Sequence, residues 1–231
     1  VNRSNRRQLV AGILDRLIEF SKWPTGLVCL LMLPTTVWAS FLLILKIVRP
    51  TPEFIAFSLG VVTYVVVARW LERIRIFGTF FSTLEHELTH GLVATLTFHR
   101  VLSIRSTWRS GGHITIEGQG NWWITLSPYF LPTVSLLLLP MIVISPWPVR
   151  WGVLGLQGVS WAYHVWSTIR ETHRHQSDIK KVGWLFAFIF LPTANLVTMM
   201  GVLAFASDGI ERCRDFLVDC LPWFLLTAAG H

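Results

Sequence analysis

Between Lys22 and Lys46 every residue of this 231-residue chain is uncharged, and the same holds from Gly118 to Val149, from Trp151 to Ile169 and from Val182 to Ser207. A helix needs about 20 apolar residues to cross a hydrocarbon core about 30 Å thick, so each run is long enough, or nearly so, to span one. Only 14% of the residues are charged, against about a quarter in soluble domains. The expected fold class is therefore an all-α polytopic membrane protein with six or seven transmembrane helices.

Residues 1 to 22 carry Arg3, Arg6, Arg7, Arg16 and Lys22. Their apolar positions recur with helical spacing, so this segment is expected to lie along the interface. The apolar run that follows is too long for a cleaved signal peptide. It reads as a first span over 24–46, with a second over 53–69 after a turn at Arg49, Pro50 and Pro52. A third span is expected over 76–98. The stretch VLSIRSTWRSGGHITIEG then alternates β-branched residues on both sides of Gly111 and Gly112. That pattern predicts a short membrane-associated β-hairpin with a glycine turn, between spans three and four. Its backbone can enter a membrane only where protein or water covers it.

A fourth span over 122–144 should start bent or interrupted, because Pro128 and Pro132 interrupt helical hydrogen bonding. A fifth fits 150–169 and a sixth 179–204, kinked at Pro192. The closing FLVDCLPWFLLTAAG reads either as a seventh span or as an interfacial helix. The chain then divides into an N-terminal segment with two accessory helices (1–75), a core (76–204) and a C-terminal segment (205–231). The net charge of +7 comes mostly from residues between the apolar runs, which suits lipid headgroups and not nucleic acid. Cys29, Cys213 and Cys220 make no disulfide framework. Lys and Arg divide too evenly between the two sides to fix an orientation.

Inside the third expected span stands His-Glu-Leu-Thr-His, residues 86 to 90. Four residues apart on a helix, His86 and His90 share one face and can reach one zinc ion at about 2.0–2.1 Å. Glu87, beside the first of them, is placed to act as the base toward water. A carboxylate in an apolar span is costly unless it is paired or associated with a metal. A catalytic zinc takes a third protein ligand, and His113, His164, Glu171, His173, His175 and Asp178 are candidates. Spans four and five return the chain to the side where span three ends. Connectivity therefore favours Asp178, at the start of span six. His164 and Glu85 are expected behind the ligands, as supporting partners or as packing.

The HELTH motif in an apolar helix, a glycine-centred hairpin after it and an aspartate opening a later span resemble the site-2 protease family of intramembrane zinc metalloproteases. The resemblance covers about 76–204. It implies that His86, His90 and Asp178 hold one Zn2+, that Glu87 activates water, and that residues 101–118 present the substrate as an extended strand. Gly111, Gly112 and His113 would then contact substrate. Asn121, just past the hairpin, is a further candidate for that role or a helix cap. Where relatives commonly carry Asn-Pro-Asp-Gly or Leu-Asp-Gly, this chain has Gln176-Ser177-Asp178-Ile179, and no PDZ-like insertion is present.

The implied function is a zinc-dependent intramembrane endopeptidase acting on a membrane-spanning or membrane-associated protein. Membrane lipids and a regulatory partner would be its other contacts, and a prokaryotic cytoplasmic membrane its location. Two other classes compete: a non-catalytic zinc-binding scaffold that captures transmembrane segments, and a metal-ion transporter. The intact Glu87 favours catalysis. Concentration of the polar residues around one depth disfavours a transport path.

Overall fold

The computed structural model describes residues 3–47, 51–71, 81–107, 111–173 and 176–222. Helix dominates, at 82%, with one small two-stranded antiparallel sheet. In chain order the elements are α1 (Arg3–Lys46), α2 (Pro52–Leu71), α3 (Phe81–Leu96), β1 (Val101–Thr107), β2 (Gly111–Ile116), α4 (Trp122–Leu126), a 3-10 turn (Ser127–Tyr129), α5 (Thr133–Ile144), α6 (Val149–Glu171), α7 (Ser177–Val182) and α8 (Trp184–Asp219). Among the described residues two stretches are long and apolar enough to cross a membrane, Asn5–Lys46 and Trp184–Asp219; the pair Trp122–Tyr129 and Thr133–Ile144, bent by 74°, makes up to three if it is one span.

The basic N-terminus and the first span form one continuous helix of 44 residues that runs through Pro24 and Pro34. No separate interfacial helix precedes the span. A proline inside a helix removes one hydrogen bond and crowds the carbonyl four residues back. Contacts from distant helices hold α1 on either side of Pro24. Trp122 Nε1 donates to the Ile18 carbonyl at 2.6 Å, and Thr193 donates to the Cys29 carbonyl at 2.7 Å.

The expected fourth span does break at its prolines, into α4, the 3-10 turn and α5. Helix α6 matches the expected fifth span closely. The expected sixth span is divided: Asp178 lies on the six-residue α7, and Gly183, at φ 99°, separates it from α8. That left-handed backbone suits a residue without a Cβ. Within α8 the non-helical residues are Asp208 and Gly209, and the chain passes through Pro192 as helix. Past that break Phe216 and Cys220 pack with Ala39 and Leu43 of α1. The rest of the closing segment, 223–231, lies outside the described residues, as do the approach to α3 (72–80) and His175.

Helices α2 and α6 meet backbone to backbone. A Cβ on Gly60 would sit 1.9 Å from the Gly155 carbonyl oxygen, and one on Gly158 the same distance from that of Phe57. Small residues permit this approach, the usual way in which membrane helices gain packing contacts. Helix α3 covers 81–96 of the third span expected over 76–98, and residues 76–80 lie outside the described residues. Its described part is 16 residues, about 24 Å at 1.5 Å per residue. It packs chiefly on the hairpin, α4 and the 3-10 turn.

The hairpin pairs Thr107 with Gly111, Ser106 with Gly112 and Arg105 with His113. Gly111 and Gly112 therefore start β2 and do not make the turn; residues 108–110, which connect the strands, lie outside the described residues. The glycines answer a different need. A Cβ on Gly112 would fall 2.5 Å from Glu87 Cγ, and one on Gly91 of α3 would fall 3.2 Å from Ile114 Cδ1. Strand and helix cross too closely for larger residues.

Candidate metal centre

Helix α3 sets His86 and His90 one turn apart, with ring centroids 4.8 Å from each other. Asp178 arrives from α7, whose Ile179 and Val182 are anchored among Trp122, Leu126, Tyr129 and Phe186. The Nε2 atoms of His86 and His90 each lie 3.4 Å from Asp178 Oδ2. One ligand atom from each of the three residues falls within 4.8 Å of the others, the geometry of a possible metal site.

Two ligands about 2.0–2.2 Å from one ion at a tetrahedral angle stand about 3.3–3.6 Å apart. The two Nε2 to Oδ2 separations match that requirement. Both imidazoles are also fixed from behind. His90 Nδ1 donates to the Ile124 carbonyl at 2.7 Å, and His86 Nδ1 faces Glu171 Oε2 at 3.3 Å. Glu171 is itself held by the Ser82 hydroxyl. With Nδ1 engaged on each ring, the Nε2 lone pair is the one presented to a metal. Such backing of ligating histidines is the common arrangement at metal sites.

Asp178 has its own support, since the Tyr129 hydroxyl donates to Oδ2 at 3.2 Å and its ring lies edge-on to His86 at 5.2 Å. Burial alone would raise the Asp178 carboxyl, but His86 and His90 facing it prevail and hold it well below the usual carboxylate range. It is thus a carboxylate as it meets the two rings.

Glu87 is 7% exposed and faces the same cavity, of about 710 Å³, which His86, His90 and Asp178 also line. Strand β2 from Gly112 to Ile116 forms one wall, and Gln176, Ser177 and Lys181 stand across it. Gly112 and His113 thus border the cavity. The surroundings of Gly111 lie outside what is described. Asn121 is a correction: it is 4% exposed and caps α4 by accepting from Ile124 N. Its Nδ2 donates to Asp15 Oδ1 at 2.8 Å. The amide is occupied in joining α4 to α1.

His164 is buried behind His86, bordering a cavity of about 10 Å³ with Ser82, Glu85, Thr89 and Glu171. Among the described residues its Nε2 has no hydrogen-bond partner, and it lies outside the group of His86, His90 and Asp178. Glu85 lines the same small space. Among the described residues the group that could hold a metal ion is His86, His90 and Asp178, without His113 or His164.

The residues not anticipated are Tyr129 and the Ile124 carbonyl. A backbone acceptor leaves no mark in a sequence, and Tyr129 stands within the proline-broken stretch with no motif around it. Glu171, considered above as a ligand, instead orients His86. A second polar group, also unanticipated, ties α1 to the base of the hairpin. His99 Nε2 lies 3.0 Å from Asp15 Oδ2, and Arg7 donates to the carbonyls of Phe98 and His99. In comparisons with known proteins the chain matches no family model, no curated protein and no solved structure.

Proposed function

We propose that this chain is a zinc-dependent endopeptidase that hydrolyses a peptide bond in a membrane-spanning or membrane-associated protein, as in the site-2 protease family it resembles. The observation that carries this reading is the pair of imidazoles, each engaged at Nδ1 and each turning Nε2 toward Asp178, with Glu87 facing the same cavity. In this reading α1, α2, α5, α6 and α8 form the membrane bundle, and lipids and a membrane-anchored substrate are its partners.

Zinc held by His86, His90 and Asp178 would polarise the scissile carbonyl and lower the pKa of water. The chain's own residues supply the rest. The Glu87 carboxylate takes a proton from the attacking water and delivers it to the leaving nitrogen. Among the described residues strand β2 pairs with β1 alone, so its other edge is available for an extended peptide to add as a further strand. A helical substrate must unwind to present its carbonyl, and pairing with that edge compensates the hydrogen bonds it gives up. Tyr129 and Glu171 keep Asp178 and His86 in place while this happens.

The test compares wild type with Glu87→Gln, purified in nanodiscs, on a panel of single-span peptides. Wild type should cut at least one peptide, and chelation should stop it. Glu87→Gln should retain zinc and lose about 10²–10⁴-fold in rate, the usual contribution of a general base. Equal cleavage by both proteins would sink the assignment of Glu87. Zinc and peptide binding by a wild type that cuts nothing would favour the scaffold reading.

A further inference from the structure

We infer that Lys181 makes the cavity selective for a carboxylate close to the bond presented to Glu87. The substrate then carries an aspartate or glutamate within about three residues of the scissile bond, by the reach worked out below, or ends there in a free carboxylate. That substrate class rests on the peptidase reading above; recognition of a carboxylate at this wall does not.

The charges around the cavity are unequally engaged. Among the described residues its border carries three carboxylates, Glu87, Glu171 and Asp178, and one lysine, Lys181. Asp178 faces His86 and His90 and accepts from the Tyr129 hydroxyl. Glu171 is held by Ser82 and faces His86. Lys181 pairs with none of these groups, and among the described residues its ammonium has no partner. A cation left unpaired in the wall of a polar cavity takes its partner from what enters, and opposite charge decides which ligand that is.

Helix α7 aims this lysine at the site. Residues three and four apart on a helix are neighbours, so Ser177, Asp178 and Lys181 share a face, and all three border the cavity. Ile179 and Val182 turn the other way and are buried in the core. Side chains three residues apart start about 5–6 Å from each other, and an extended strand advances about 3.3 Å per residue. A carboxylate that reaches Lys181 therefore belongs to a residue within about three positions of the carbonyl beside Asp178. A peptide added to the edge of β2, at the facing wall, passes through this reach. An acidic side chain there is desolvated, which is costly without a partner; Lys181 supplies one, and a neutral side chain gains nothing from it.

The opposite side of α3 offers no such partner. Leu88, Leu92 and Leu96 lie roughly half a turn around the helix from His86, Glu87 and His90, at 3.6 residues per turn. With Phe98 and Leu102 they make an exposed apolar face that continues onto β1. That face suits apolar surroundings and gives an acidic residue nothing to bind. A carboxylate is met on the cavity side of α3, where Lys181 stands.

Binding to zinc-loaded Glu87→Gln protein, in nanodiscs of zwitterionic lipid, tests the assignment without requiring cleavage. The probes are fluorescent single-span peptides, amidated at the C-terminus, with Asp, Asn or Lys placed at each position in turn; a neutral peptide with a free C-terminus completes the set. At one or two positions Asp should bind about 10-fold tighter than Asn, as expected of a hydrogen bond to a charged group. Adding Lys181→Ala should remove the difference, and adding Lys181→Glu should transfer the preference to Lys at the same positions. Lys180→Glu, the same charge change on the exposed neighbour, should leave it as it was. A gain confined to the free C-terminus would support carboxylate recognition and assign it to a chain end. Equal binding of Asp and Asn peptides at every position, or a preference that survives Lys181→Ala, would overturn the inference. Wild type that binds with the Asp preference and cuts nothing removes the peptidase reading alone; wild type that cuts Asp and Asn peptides equally removes the role of Lys181 alone.

Discussion

Gly112→Ala tests the crossing of strand and motif helix on which the placement of Glu87 depends. The new Cβ would stand 2.5 Å from Glu87 Cγ, 2.6 Å from Thr83 Cγ2 and 2.7 Å from Glu87 Oε1. Carbon atoms in good contact are about 3.5–4.0 Å apart, so β2 or the Glu87 side chain must move by roughly 1 Å. Overpacking of this kind costs about 1–3 kcal/mol, and a 1 Å misplacement of a catalytic group can cost about 10²-fold in rate. The three atoms nearest to this Cβ belong to Glu87 and Thr83, and not to His86, His90 or Asp178. The variant should keep near-stoichiometric zinc while kcat falls by about 10²-fold with a smaller change in KM. Gly152→Ala on α6, where an added Cβ meets nothing within 4 Å, is the control. Zinc content by mass spectrometry and kinetics on a cleaved single-span peptide give the readouts. A folded Gly112→Ala protein with wild-type kcat would refute the claim that this glycine keeps Glu87 in position.

Tyr129→Phe keeps the ring against His86 and removes only the hydroxyl that bonds Asp178. Loss of such a supporting bond weakens metal affinity by about 10-fold or more, measurable by chelator competition, and unchanged affinity would show that Asp178 needs no such support. Gly60→Ala places a Cβ 1.9 Å from the Gly155 carbonyl oxygen, so α2 and α6 must separate. A stability loss of about 1–3 kcal/mol should appear in thermal denaturation in detergent, and a variant as stable as wild type would contradict so close a crossing.

His86 and His90 are legible in the sequence because helical spacing of four fixes a shared face, whatever surrounds the helix. Asp178 is legible through connectivity, since α5 and α6 bring the chain back to where α3 lies. Its setting is not, because the left-handed Gly183 that detaches α7 from α8 looks like any glycine before an apolar run. The hairpin declares itself by alternation, but Gly111 and Gly112 suggest a turn when both belong to β2 and the missing Cβ of Gly112 serves the contact with α3. Apolar residues around HELTH suggest a span. They leave no mark of the packing of α3 on β1, β2 and α4, which comes from contacts alone. Continuity through Pro24 likewise depends on partners distant in sequence, Trp122 and Thr193.

The central claim is that two imidazoles of α3 and a carboxylate 88 residues after His90 meet on one zinc ion. X-ray absorption at the zinc edge, on the purified protein and on Asp178→Asn, tests it most directly. The account predicts one zinc per chain with two nitrogen ligands at about 2.0–2.1 Å and carboxylate oxygen at about 2.0–2.2 Å, and a sharp loss of bound zinc in the variant. A protein that binds no zinc, or an Asp178→Asn protein with the same metal content, affinity and spectrum as wild type, would contradict it.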